Sequence, residues 1–320
     1  MTDFSSELDA SWTVLRALIG MGQLPTFLRE SAKRSGCRAL AAVGSTDTTE
    51  AGFHSGQAVE HLCKFIISQR HPTLLAKAND QKSFAFLNGD GHAEADTLAD
   101  VFTIGLPQVV RLTYGEFGIG DPSQEDLDLV LLARNAAVHI GYGDDDHSIG
   151  AVAGMVRLCE PVLSAQGRTV SEWLDDSRLG PVVDAVRTLP RSGVRLSDGY
   201  RDASILARIW VAQRAWDRLC GRMPEDQRRL LAVQPMDLSG DWEATLRPCP
   251  AGGHMAWFKT ELDESDTQNH TFGSGYRDMV QSVGGVDCPL CGLSLDGSDV
   301  EILGLRDQIG YDTWGPEGPE

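Results

Sequence analysis

Residues 121–141 read DPSQEDLDLVLLARNAAVHIG, and the fold follows from how this stretch is parsed. Asp121, Pro122 and Ser123 supply a turn and an N-terminal cap, because a seryl oxygen accepts an amide hydrogen that the first helical turn leaves unpaired. Glu125 and Asp126 then put negative charge where the helix dipole is positive. The run EDLDLVLLARNAAVHIG therefore predicts a helix, stopped by Gly141 and Gly143.

Outward from this segment the pattern stays helical. Upstream, LADVFTIGLPQVVRLTYG predicts helix, with Pro107 starting a new one or kinking the existing one. Before it, the polar stretch FLNGDGHAEAD follows SGQAVEHLCKFIISQRHPTLLA, where Ala58, Val59, Leu62, Cys63 and Ile66 recur at helical spacing and mark one long core helix. The Ser-, Thr- and Gly-rich segment Val43–Gly52 reads as a loop. From Ser5 to about Ala32 there are two short helical patterns, with Trp12, Leu15, Leu18 and Ile19 on one face and a break at Gly20–Pro25.

Downstream, SIGAVAGMVRLCEPVLSAQ, TVSEWLDDSRLGPVVDAVRTL and YRDASILARIWVAQRAWDRLCGRM extend an all-helical body to about residue 232. No alternation of strand and helix is visible. Beyond Asp241 the chain changes to short segments with aromatics, glycines and paired cysteines, and GPEGPE closes it as a frayed tail. The expected organisation is a mainly α protein: a helical bundle domain over 1–167, a helical extension or linker over 168–240, a small β module over 241–305, and a flexible tail over 306–320.

The 320 residues carry a formal charge of −18, which disfavours loose attraction to nucleic acid or an anionic membrane. A nucleic-acid substrate would need a local basic cleft. The N-terminal stretch MTDFSSELDASW has neither a basic region nor a signal-length apolar run, and no segment has membrane-span length, so a cytoplasmic location without membrane contact is expected. Seven cysteines split into Cys37, Cys63, Cys159 and Cys220 within helical patterns and Cys249, Cys288 and Cys291 near the end. That division fits reduced thiols and a metal site better than a disulfide framework.

Three residues on the 121–141 helix carry chemistry. Asn135 and His139 are four apart and share a face, whereas Arg134 and His139, five apart, lie about 140° apart around the axis. One helix does not aim all three at a point; two copies crossing at a twofold axis would. An imidazole exchanges protons near neutral pH, and a guanidinium holds phosphate oxygens as charge builds. With the RNA 2'-hydroxyl as internal nucleophile such a pair cleaves phosphodiesters without a metal, leaves a cyclic phosphate and spares DNA. The plain alternative is a capped helix end, with Arg134 solvated and Asn135 and His139 hydrogen-bonded locally.

RNAAVH resembles the signature of the HEPN superfamily, an arginine, a polar residue, three variable residues and a histidine. SGQAVEHLCKFIIS with HPTLLA is similar to the family's earlier core helix, and VFTIGLPQVVRL to the approach to its catalytic helix. The resemblance covers residues 1 to about 167. It implies a four- or five-helix bundle that forms a homodimer through the motif helix. It also implies ribonuclease activity, usually metal-independent, in toxin, antiphage-defence or RNA-processing settings, with an antitoxin or other regulatory protein as a further partner. In some members the module is non-catalytic and serves dimerisation or ligand sensing. Certain toxins of the family carry a modifiable tyrosine two positions after the histidine; here Gly141 stands there and Tyr142 follows.

Near the C-terminus, Cys288-Pro-Leu-Cys291-Gly is the knuckle pattern of a zinc ribbon. The other half reads Cys249-Pro-Ala-Gly-Gly-His254, so His254 is the expected fourth ligand and His270 the alternative. A Cys3His set leaves no open position, so the zinc would be structural. The ribbon could contact a partner protein, or bind nucleic acid without cutting it.

Other patterns are weaker. Arg214, Arg218 and Arg222 recur every fourth residue, with Arg208 and Trp216 nearby, as an RNA-binding stripe or, given Asp217, Glu225 and Asp226 among them, a solvated face. Gly143–His147 reads as a divalent-cation site or a helix cap. Glu60 and Lys64 read as an i, i+4 pair, while His54, His61, His71 and His92 have no site-like spacing. Phosphate-loop, dinucleotide-binding, HExxH and GxSxG motifs are missing, which removes support for nucleotide hydrolysis, dinucleotide chemistry, zinc proteolysis and serine hydrolysis.

Overall fold

The computed structural model describes residues 24–45, 48–88, 103–141, 144–232, 243–263 and 280–305. It is mainly α-helical with a four-stranded antiparallel sheet near the C-terminus. The apolar faces expected at Trp12, Leu15, Leu18 and Ile19 lie outside the described residues, as do His92, Tyr142, Gly143, His270 and the 306–320 tail. Among the described residues no helix is long and apolar enough to cross a membrane. Contacts divide the chain into two units, Met1–Ser204 and Ile205–Glu320.

In the first unit, α1 (Leu24–Ala42) continues well past Ala32, where the apolar pattern fades. The reason is that Ser35, Gly36 and Ala39 form its buried face, and small residues give a weak hydropathy signal. Helix α2 (Thr48–Arg70) likewise starts inside the segment expected as a loop. It packs against α1, α4 (Leu106–Phe117), α5 (Gln124–Ile140) and α6 (Asp145–Ser164), so Val59, Leu62, Cys63, Ile66 and Ile67 are all buried. Each such side chain contributes about 1.5–3 kcal/mol when fully buried. Between α2 and α4 lies the short α3 (Gln81–Leu87), capped by Asp80, whose carboxylate accepts the Ser83 amide at 3.1 Å. Pro107 falls in the first turn of α4 and so starts that helix rather than kinking it.

Helix α5 is gripped on two sides by glycines. A Cβ placed on Gly56 of α2 would stand 2.5–2.9 Å from Arg134 side-chain carbons, and one on Gly154 of α6 would stand 3.1 Å from Val130. A side chain at Gly56 would force Arg134 to shift, and one at Gly154 would need Val130 to give by a few tenths of an ångström. Helix α6 is buried almost throughout from Ser148 to Leu163, and the Tyr114 hydroxyl of α4 donates to the Leu158 carbonyl at 2.9 Å. Two further short helices, α7 (Val170–Trp173) and α8 (Gly180–Arg187), pack on α6. Trp173, Leu179, Val182 and Val186 of this segment are buried.

The unit boundary falls within α9 (Asp198–Arg222), so most of that helix belongs to the second unit, with α10 (Glu225–Ala232). Strands β1 (Glu243–Pro248), β2 (Met255–Asp263), β3 (Val280–Asp287) and β4 (Ser294–Asp296) form an antiparallel sheet in sequence order, and α11 (Gly297–Ile302) follows. Phe258, Val283, Val286, Leu293, Leu295 and Val300 make a core with Ile205 and Ala212 of α9. Arg208 joins α9 to this module: its guanidinium donates to the Ser294 carbonyl at 3.1 Å and pairs with buried Asp299 at 2.9 Å.

Candidate functional site

Ser123 caps α5 by accepting the Asp126 amide at 3.3 Å, and Gly141 ends it in the left-handed region at φ 66°. The solvent face between these ends carries Asn135 and His139, together with Leu132, Val138 and Ile140 at 56, 50 and 76% exposure. Asn135 also lines a surface groove of about 650 Å³ with Glu125, Asp128, Leu131, Leu132 and His147. Arg134 points elsewhere. Its aliphatic stem lies over Gly56, and its Nη2 pairs with Glu60 of α2 at 2.9 Å. Within one chain, then, Arg134 is tied to α2 while His139 is open to solvent, about 140° further round the helix.

The ion pair belongs to a buried polar centre that spacing alone does not reveal. Glu60 also holds the Lys64 ammonium at 2.5 Å, as the i, i+4 spacing leads one to expect, and Lys64 donates to Thr103 Oγ1 at 2.7 Å. Next to Glu60 in the chain, His61 has its Nδ1 2.8 Å from Ser31 Oγ of α1; burial pushes its pKa down to about 4, and the Glu60 charge offsets this only in part. Burial, reinforced by Arg38, pushes His54 down to about 4 as well.

A second centre sits under the start of α5. The Asp126 carboxylate, almost fully buried, accepts from Arg157 Nη2 at 2.8 Å and from Arg191 at 2.8 and 3.0 Å. Burial alone would raise its pKa, but the hydrogen bonds from Arg191 and Arg157 outweigh this and hold it down to about 2. Arg157 also donates to the Arg187 and Leu189 carbonyls, fixing the end of α8.

The acidic run before His147 is a helix cap in its described part. Asp144 accepts the His147 amide at 3.0 Å, Asp145 pairs with Arg195 at 2.5 Å, and Asp146 accepts the Gly193 and Arg195 amides at 2.6 and 3.1 Å. In the α9 stripe, Arg208 is held by Asp299, and Arg214 lies 5.2 Å over the Trp210 ring.

The second unit holds the candidate metal centre. The β1–β2 and β3–β4 turns lie side by side, because Trp257 pairs with Asp287 in the β2–β3 register. One turn supplies Cys249 and His254, the other Cys288 and Cys291, and all four donor atoms lie within 4.8 Å of one another. Each turn closes on itself, with Cys249 donating to the His254 carbonyl and Cys288 to the Leu293 carbonyl, and Gly253 and Gly292 take φ values of 69° and 74°. Zinc–thiolate bonds of about 2.3 Å give tetrahedral S–S edges of about 3.8 Å. Cys249 and Cys291 Sγ are 3.7 Å apart, and His254 Nε2 is 3.0 Å from Cys288 Sγ. Hydrogen bonds from Cys249 and Cys291 hold the Cys288 thiol far down, and sharing that one negative charge pushes the other two up. Three packed thiols that cannot all ionise by themselves are a set that suits a divalent cation, and the donor types are compatible with zinc. The set is closed, so such an ion would brace the two turns. No family model, curated protein or solved structure matches the chain.

Proposed function

We propose that the chain is a metal-independent endoribonuclease of the HEPN type, acting as a homodimer on single-stranded or looped RNA. The observation that carries this reading is the solvent face of α5, where Asn135 and His139 stand among exposed Leu132, Val138 and Ile140. Exposed apolar groups beside proton-transfer chemistry suit a face that a second copy covers, completing a cleft from both subunits. In that cleft His139 moves the proton, Arg134 stabilises charge on the phosphate, and Asn135 orients either group. What supports a shared role for Arg134 is that one end pairs with Glu60 while the side chain remains 31% exposed. The net charge of −18 gives RNA no general attraction, so binding must be local to the cleft, as expected of a toxin or defence effector restrained by a regulatory partner. Zinc at Cys249, His254, Cys288 and Cys291 supports the second unit without entering the reaction.

The test is incubation of the purified full chain with RNA and DNA, with and without EDTA, beside folded Arg134→Ala and His139→Ala variants. RNA-only cleavage that ends in a cyclic phosphate and is lost in both variants supports the reading. Cleavage that persists in both variants rejects the assigned residues.

The Arg134–Glu60 ion pair also favours a second reading, a non-catalytic module of the same fold in which the pair is purely structural and α5 serves dimerisation or ligand sensing. A dimer that cuts no RNA under any condition, with Arg134→Ala less stable but equally dimeric, is its signature.

A further inference from the structure

We propose that Trp216 is a positioning residue for the metal centre, holding the His254 ring so that Nε2 completes the Cys249, Cys288 and Cys291 set and His270 is left out. The inference rests on the reading that these four residues bind zinc. Trp216 of α9 stacks on His254 with ring centroids 3.9 Å apart and planes at 23°. Gly252 makes the stack possible, since a Cβ there would stand 2.8 Å from Trp216 Cδ1 and 2.9 Å from His254 Nδ1. A ligating histidine normally has its second nitrogen fixed by a carboxylate, a carbonyl or water. Here His254 Nδ1 is buried with no hydrogen-bond partner among the described residues. The orientation that a hydrogen bond usually provides therefore falls to the indole face.

The indole is itself held. Arg228 of α10 lies 5.4 Å over the Trp216 ring, and its Nη1 donates to the Met223 carbonyl at 2.7 Å and the Cys220 carbonyl at 3.3 Å, at the end of α9. The chain of contacts runs from the α9–α10 corner through Trp216 to the ligand ring. The candidate metal centre thus draws on α9 and α10 as well as on the two cysteine-bearing turns.

The experiment uses the full chain with cobalt(II) as a spectroscopic probe and zinc in competition with a chromogenic chelator. Wild type should give the intense visible bands of tetrahedral cobalt with three thiolates and one imidazole. His254→Ala should shift those bands, and His270→Ala should leave them in place. Trp216→Leu, which keeps an apolar side chain but removes the aromatic face, should weaken zinc binding by about 10–100-fold and move the cobalt bands toward those of His254→Ala, whereas Trp216→Phe should restore both. The Leu and Phe variants differ little in size, so a general packing defect would affect them alike. Equal affinity and spectra for the Leu and Phe variants would overturn the role of Trp216, as would a spectral shift in His270→Ala. A wild type that takes up neither ion would overturn the zinc reading and this inference with it.

Discussion

The Glu60 carboxylate holds Arg134 through one oxygen at 2.9 Å and Lys64 through the other at 2.5 Å, so one buried anion joins α2 to the helix that carries the RNAAVH segment. Removing the anion leaves two cations without a counter-charge. Glu60→Gln should therefore destabilise the fold by about 2–4 kcal/mol, discounted from the full cost of breaking a buried pair because Arg134 is partly exposed. A urea denaturation midpoint equal to that of wild type would refute this. Pairing Glu60→Gln with Lys64→Met should recover part of the loss.

Asp126 should govern acid stability. Its carboxyl is held down to about 2 from an ordinary 3.8, so folded and unfolded chains are both ionised above 3.8 and its full contribution is present there. As pH falls from 3.8 toward 2 the unfolded chain takes up the proton first and the contribution drains away. Asp126→Asn should be less stable than wild type at neutral pH, with the gap closing across that window. Denaturation curves at several pH values measure it.

His54 and His61 act in a higher window. Both fall to about 4 from 6.5, so above 6.5 they are neutral in either state and cost nothing. Between 6.5 and about 4 the unfolded chain protonates while the folded one resists, and stability declines as pH drops. His61→Gln should flatten the pH dependence between 7 and 5 relative to wild type. An unchanged slope would show that the ring is more accessible to water than its packing beside Ser31 implies.

Chelation should act on one unit. On the zinc reading, a chelator should make residues 243–305 the first to be cut in limited proteolysis, while residues 24–204 persist. Simultaneous loss of both segments would contradict the placement of the ion.

The sequence carried its strongest signals where structure is local. Ser123, Gly141 and Pro107 mark helix ends because capping and proline geometry involve neighbouring residues, and they do so here. Cys288-Pro-Leu-Cys291 is visible for the same reason, and His254 joins it because the two turns sit at one end of the sheet. Long-range partners leave no such mark. Asp126 reads as a dipole-friendly first-turn acid yet anchors Arg157 and Arg191, and Arg134, read as a phosphate-holding group or, in the plain alternative, a solvated cation, also reaches Glu60. Arg208, near the Arg214, Arg218 and Arg222 row that reads as an RNA-binding stripe or a solvated face, holds Asp299. Trp216 reads only as an aromatic near those arginines, since nothing in its spacing links it to His254.

The antiparallel order of β2 and β3 has a practical corollary. The four donors gather where β2 begins and β3 ends, so the connection leaving Asp263 and returning at Val280 departs from the far end of the same ribbon. Asp263 and Val280 therefore stand at the end of the β2–β3 ribbon remote from the candidate metal-binding turns, so a label attached at either residue starts from the end away from the four donors.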